Sequence, residues 1–179
     1  MRKIILVYGL IAGAITGGML MITMPLHENG ILNMDNGMWL GYTTMVIALS
    51  LIFVGVKNYR DNYLGGSISF FKGLKMGLLI TIVAAVLYAL SWEVTYSTME
   101  GDFLKLMGEQ SMEKMRAKGA TEAELQAAIA EMDQFSALYK NPFFRFAVTL
   151  MEIIPVGVVI SLISAALLKN KTFLSTRNS

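Results

Sequence analysis

The sequence predicts an all-α fold: a polytopic membrane four-helix bundle with both termini cytoplasmic and an extracytoplasmic helical hairpin between the third and fourth spans. Three observations lead to it. Of 179 residues, 55% are hydrophobic and 16% charged, against about 45–50% and 25% in ordinary soluble domains. The apolar excess is gathered into four blocks, residues 4–24, 39–56, 74–94 and 146–168, each close to the roughly 20 residues a helix needs to cross a bilayer. These runs lack the period-two alternation of barrel strands, and hydrocarbon admits only helices and closed barrels. Finally, basic residues collect in alternate connections: Arg2 and Lys3, then Lys57, Arg60, Lys72 and Lys75, then Lys169, Lys171 and Arg177. By the positive-inside rule these segments share the cytoplasmic side.

The first block follows Met1-Arg2-Lys3, as a secretory signal would. Its apolar run exceeds the roughly 7–15 residues of a signal core, and MITMPLHE lacks a small-x-small cleavage pattern, so it is expected to remain as span one. Gly9, Gly13 and Gly17 recur at every fourth residue and make one flat face for close helix packing. Near its outer end crowd Met19, Met21, Met24, His27, Met34 and Met38. Thioethers with an imidazole suit Cu(I). Methionine is also a general gap-filler and His27 is the single histidine, so no metal or cofactor is assigned. Residues 25–38, free of Lys and Arg, are expected to be the first outer loop.

After span two, Arg60 and Asp61 are placed to form a local pair, and Gly65-Gly66 to allow a sharp turn. SISFFKGLK is expected to form a short interfacial helix, with Phe70 and Phe71 in the headgroups and Lys72 and Lys75 outside them. Span three opens with Gly73 and Gly77, and span four continues the small-residue pattern through Gly157, Ser161 and Ala165. Trp39, Trp92, Tyr96, Phe143 and Phe144 fall where an outer aromatic belt is expected.

Between spans three and four, residues 98–141 change character. Phe103, Leu106, Met107, Gln110, Lys114 and Met115 follow a helical stripe, Gly119 is placed as a C-terminal cap, and Thr121 with Glu124 makes a capping box. A second helix then aligns Leu125, Ala128, Ile129, Met132, Phe135 and Tyr139 before Asn141-Pro142 ends it. The connection to Arg145 carries eight acids, Glu100, Asp102, Glu109, Glu113, Glu122, Glu124, Glu131 and Asp133, against six basic residues. An acid-rich polar face does not suit a lipid-lying helix. Two helices of this size also bury too little surface for a soluble catalytic domain.

The stretch VGVKNYRDNYLGGSISFFKGLKMGLLITIVAAVLYALSWEV is similar to the signature of the family catalogued as domain of unknown function 4199, small bacterial four-helix membrane proteins. The resemblance rests on Gly55, Tyr59-Arg60-Asp61, Gly65-Gly66, Ile68, Phe70, Gly73, Gly77 and Trp92-Glu93, and on PVGVVISLISAALLK at the last span. It implies a bacterial inner-membrane location and no reaction, ligand or catalytic residue.

Two carboxylates fall within the spans, Glu93 and Glu152, and intramembrane ionisable groups are functional candidates by default. Side chains lean toward a helix's N-terminus, so Glu152 is expected to lean outward and Glu93 inward, to similar depth. There they could share a proton; alternatively, Glu152 snorkels to Arg145, two turns away on the same face, or is solvated by an outer cavity. Pro155 is expected to loosen the backbone near Glu152 by removing the hydrogen bond to Met151. The chain has no cysteine, which excludes disulfides, thiolate metal sites and cysteine nucleophiles. Phosphate-binding loops, histidine-rich metal spacings and nucleophile–base pairs are missing too. The expectation is a non-enzymatic structural or interaction protein that meets the lipid bilayer, a second copy or a membrane or periplasmic protein, and no nucleic acid. A small proton-coupled transporter or channel component built on Glu93 and Glu152 is the alternative, and a carboxylate-based membrane enzyme comes third.

Overall fold

The computed structural model describes residues 1–28, 30–32, 34–99 and 103–174. Glu100, Asp102 and Arg177 lie outside the described residues, as do the side chains of Met34 and Leu106. Among the described residues seven helices follow one another: α1 (Arg2–Glu28), α2 (Met34–Leu49), α3 (Leu51–Tyr63), α4 (Phe70–Thr98), α5 (Phe103–Ala117), α6 (Glu122–Tyr139) and α7 (Pro142–Leu168). Four stretches are long and apolar enough to cross a membrane: Arg2–His27, Asn36–Tyr63, Phe70–Thr98 and Pro142–Leu168. The second combines α2 and α3 across Ser50, whose backbone stays helical (φ −59°, ψ −19°) while its hydroxyl donates to the Ile47 carbonyl at 2.6 Å. Large apolar side chains such as Leu6, Leu10, Ile47, Ile82, Leu90, Val159 and Ile163 are exposed around this bundle. An exterior of that kind is stable in hydrocarbon and not in water, and the chain is a multi-pass membrane protein.

Each span outruns its apolar block, because hydropathy marks the thickness of lipid whereas a helix continues wherever its backbone bonds close. Pro25 therefore lies inside α1, and the expected outer loop begins only beyond Glu28. The separate interfacial helix expected in SISFFKGLK does not form. Ser69 is extended at ψ 151° and caps α4 by accepting from the Lys72 amide, so Phe70 and Phe71 are already the first turn of the span. Ahead of them Gly65 and Gly66 take φ of 65° and 87°, left-handed values that glycine adopts without steric cost.

α4 is the spine of the bundle. A Cβ on Gly9 would lie 2.6 Å from the Val83 Cβ, one on Gly13 2.8 Å from the Leu87 Cβ, and one on Gly17 2.7 Å from the Ser91 Cβ. Advance by four on both helices means that α1 runs parallel to α4. The other side of α4 reads in reverse: Gly73 meets Ala165, Gly77 meets Ser161, and Gly157 meets Thr81, so α7 is antiparallel. Small residues on both sides let backbones approach where lipid supplies no hydrophobic drive. The hydroxyls in this seam are satisfied locally, Thr81 by the Gly77 carbonyl at 3.0 Å and Ser161 by the Gly157 carbonyl at 2.7 Å. The apolar core continues through Ile52, Val56, Met76, Ile80, Ala84 and Ile153, all buried.

The α5–α6 pair packs at the end of the bundle where α1 and α4 finish. Gly119 (φ 81°) turns the chain, with the Ala120 amide reaching back to the Met115 carbonyl at 3.0 Å in the geometry of a Schellman cap. Thr121 and Glu124 form the capping box reciprocally. Trp92, Leu104 and Tyr139 are buried together, with Tyr96, Phe103, Phe135 and Phe144 packed around them. Trp92, Tyr96 and Phe144 thus dock the helical pair; of the five belt residues, Trp39 and Phe143 are exposed. Sequence position alone puts all five at one depth, but α5 and α6 cover three of them.

Candidate functional site

Sliding α4 and α7 into their antiparallel register decides what each membrane carboxylate meets. Glu93 comes level with Arg145, and the guanidinium forks onto the carboxylate: Arg145 Nε donates to Glu93 Oε1 at 2.9 Å and Nη2 donates to Oε2. Nη1 donates to the Tyr139 carbonyl at 3.2 Å, and the guanidinium centre stands 4.0 Å over the Tyr96 ring. Paired, hydrogen-bonded and stacked, Arg145 is held in the planar geometry that distinguishes arginine from lysine. This site ties α4, α6 and α7 together.

Glu152 has a different environment. It lies seven residues further along α7, about 10 Å at 1.5 Å per residue, and accepts a hydrogen bond from the Tyr88 hydroxyl at 3.1 Å. The two expected pairings are therefore corrected, whereas a cavity at Glu152 is present. Glu152 does not reach Arg145, because Arg145 is spent on Glu93. Nor do the carboxylates share a proton: Tyr88 precedes Glu93 by five residues, and the two pairs occupy levels separated by more than a helical turn. Pro155 lies inside a continuous α7 on an exposed position and lines neither of the cavities that Glu152 faces.

Those cavities, of about 310 and 300 Å³, share Leu20, Met24, Tyr88, Phe103, Met107 and Glu152. The first extends along α1 and α2 past His27, Met38, Tyr42 and Met45; the second runs under the helical pair past Trp92, Phe135 and Tyr139. Of the methionine–histidine set, Met24, His27 and Met38 thus meet at one cavity, whereas Met21 is exposed. Among the described residues no group of three or more His, Cys, Asp or Glu side chains is placed to hold a metal ion. Next to this space Trp92 Nε1 donates to the Tyr139 hydroxyl at 2.8 Å. Burial pushes the Tyr139 phenol up to about 12, so the bond stays neutral at physiological pH.

Tyr88 and Leu104 were not singled out from sequence, Tyr139 was placed on an apolar stripe without its bonds to Trp92 and Arg145, and the role of Arg60 was not foreseen. Arg60 is completely buried; besides the expected Asp61 pair at 2.6 Å, it donates to the carbonyls of Phe173 at 2.9 Å and Leu174 at 3.2 Å. It clamps the C-terminal tail, whose Phe173 packs edge-on against Phe53 at 6.4 Å. A legible signal for Tyr88 does exist. Matching Gly73 and Gly77 against Ala165 and Ser161 sets the α4–α7 register, which carries Tyr88 to Glu152 and Glu93 to Arg145.

The family described as protein of unknown function DUF4199 matches residues 7–170. No curated protein and no solved structure matches the chain. The protein belongs to the DUF4199 family.

Proposed function

We propose that this member of the family is an interaction protein of a bacterial inner membrane, with cytoplasmic termini and the α5–α6 pair held outward as a hairpin for a protein partner. The observation that carries the reading is uneven packing of the pair. Its base is fastened to the bundle by Trp92, Leu104 and Tyr139. Between its own helices it leaves a cavity of about 560 Å³, lined by Met99, Gly108, Met112, Ile129 and Met132, with Lys105, Asp133 and Lys140 also on its walls. Flexible thioethers adapt to varied apolar shapes, and such a groove suits the apolar face of a partner helix. The basic residues at the opposite end of the bundle support the orientation.

Photocrosslinking in intact cells tests the reading. Benzoylphenylalanine at Met112 or Ile129 should give a discrete adduct, and at Gln126 or Glu113, on the outer faces, should not; equal labelling or none at all would remove the proposal. Because the chain has no cysteine, single-cysteine labelling reports orientation cleanly. Lys118→Cys should react with an impermeant maleimide from outside the inner membrane, and reaction only after permeabilisation would reverse the topology. Proton-coupled transport keeps one favouring observation, Glu152 facing a cavity. Among the described residues Glu93 bonds to Arg145 and Glu152 to Tyr88, with no hydrogen bond joining the two sites. Loss of proton-dependent flux in vesicles on Glu152→Gln would promote that reading.

A further inference from the structure

We propose that the cavity around Glu152 is a binding site for an organic ammonium group carried on an apolar body. The inference is independent of the groove between α5 and α6. Glu152, an exposed position of α7, lines both cavities with the Tyr88 hydroxyl as its hydrogen-bond partner at 3.1 Å. The nearest fixed guanidinium, Arg145, is occupied by Glu93. Among the described residues no Lys or Arg lines either cavity that Glu152 faces, and the other titratable groups there are His27 from α1, Tyr42 from α2, Tyr88 from α4 and Tyr139 from α6. A carboxylate in a low-dielectric space with so little compensation favours a cation beside it.

The rest of the lining says what kind of cation. Tyr42, Tyr88 and Phe103 supply aromatic rings, whose faces attract ammonium groups. Met24, Met38, Met45 and Met107 supply polarizable thioethers that pack against irregular apolar bodies. The volume of about 310 Å³ falls at the lower end of the range for small-molecule sites, on the order of 300–1,000 Å³. A hard divalent ion is held by a cluster of oxygen ligands in which carboxylates dominate, and among the described residues no group of three or more His, Cys, Asp or Glu side chains is placed to hold a metal ion. Anions are repelled, and a purely apolar guest would leave the carboxylate unpaired. Phe103, Met107 and Gln110 of α5 form one wall, so a ligand there contacts the extramembrane pair as well as the spans. An ammonium headgroup of a membrane lipid and a free lipophilic amine present the same chemistry to this site.

The test uses the full chain in nanodiscs of phosphatidylglycerol alone, which brings no ammonium, with 2-phenylethylammonium as probe and empty discs as the blank. Saturable binding is expected by calorimetry. Glu152→Gln, nearly isosteric, should weaken it at least about tenfold, and the neutral probe 2-phenylethanol should lose a similar factor on the unaltered protein. The second comparison keeps the proposal open to refutation if the variant does not fold. Adding phosphatidylethanolamine to the discs should compete with the probe if the lipid headgroup is the natural occupant; no competition alongside tight probe binding assigns the site to a free amine. No saturable binding in phosphatidylglycerol discs, equal binding by folded Glu152→Gln, or equal affinity for 2-phenylethanol would each overturn the assignment.

Discussion

Adding a single methyl group to the α1–α4 seam should separate two glycines that look alike in the sequence. In Gly13→Ala the new Cβ would lie 2.9 Å from the Ala84 carbonyl oxygen and 3.1 Å from the Ala84 Cα. Both are backbone atoms, so no rotamer change relieves the clash. Carbon atoms pack at about 3.5–4.0 Å, so the helices must part locally by roughly 0.6–0.8 Å. A gap of that size forfeits about a quarter to a half of each contact, and each contact is worth ~0.1–0.2 kcal/mol. On the order of 20 contacts along the stripe then lose ~0.5–2 kcal/mol, consistent with the ~1–3 kcal/mol typical of overpacking. Gly18 is the control. A Cβ there meets nothing within 4 Å, and alanine at an open helix position gains up to ~1 kcal/mol over glycine. Alanine gains the same propensity at Gly13, so the clash alone separates the variants: reversible unfolding in mixed micelles, followed by tryptophan fluorescence, should rank Gly18→Ala above both the parent and Gly13→Ala, the two variants ~0.5–2 kcal/mol apart. Equal stability of the two variants would refute the parallel register of α1 on α4.

Further outcomes follow from the polar sites. Arg145→Met strands the Glu93 carboxylate, whose side chain is 23% exposed, and should cost ~1–3 kcal/mol once discounted for that partial exposure; the double variant Glu93→Gln, Arg145→Met should recover part of the loss in the same assay. Tyr139→Phe leaves the buried Trp92 indole N–H without its acceptor and should cost ~1–3 kcal/mol, visible as faster hydrogen exchange in α6. If exchange in α6 is unchanged, the Trp92–Tyr139 bond does not fasten the pair. Arg60→Gln should release the tail, lowering protection of amides 170–174 by about tenfold or more, whereas a tail held by Phe173 packing alone would keep its protection. Hydrogen bonds from Thr121 hold the Glu124 carboxyl below its usual value of 4.5. A lowered folded pKa stabilises above the unfolded value and loses that contribution as pH falls through the folded one. The start of α6 should accordingly keep full helicity above about pH 4.5 and fray below it; fraying that begins near neutrality would show that the capping box does not control it.

What the sequence made legible was whatever repeats or punctuates. Four apolar blocks announce four spans, glycines at every fourth position announce the faces that meet α4, and Gly119 with Thr121 and Glu124 announces the turn between α5 and α6. Each of these is a local rule read within one helix. Helix ends were less legible, since Pro25 and Phe70 lie where hydropathy changes but the backbone ladder does not. Pairings between helices were the least legible, because they depend on a sliding coordinate that no single helix contains. Glu152 and Arg145 share a face of α7 and invite pairing on spacing alone. The competitor, Glu93, is more than fifty positions away in sequence and wins because the small residues of α4 and α7 lock at Gly77–Ser161 and Thr81–Gly157.

That lock has a consequence for any working cycle of the protein. Glu152 can exchange Tyr88 for Arg145 only if the guanidinium abandons two hydrogen bonds to Glu93, one to Tyr139 and its seat on the Tyr96 ring. The alternative is for α7 to slide by about 10 Å, roughly two turns, through a seam where glycine faces threonine and serine without spare room. Either route breaks the contacts that also hold α6. The Glu93–Arg145 pair is thus a fixed point of the structure, whereas the surroundings of Glu152 are a cavity bounded on one side by α5. Motion that matters to Glu152 should come from α5. A spectroscopic pair between Met107 and Met38, on opposite sides of that space, should change separation when the cavity fills, while a pair spanning Trp92 and Val148 should stay constant. If the second pair moves as much as the first, the helical pair and the spans shift as one body and the cavity wall is not the mobile element.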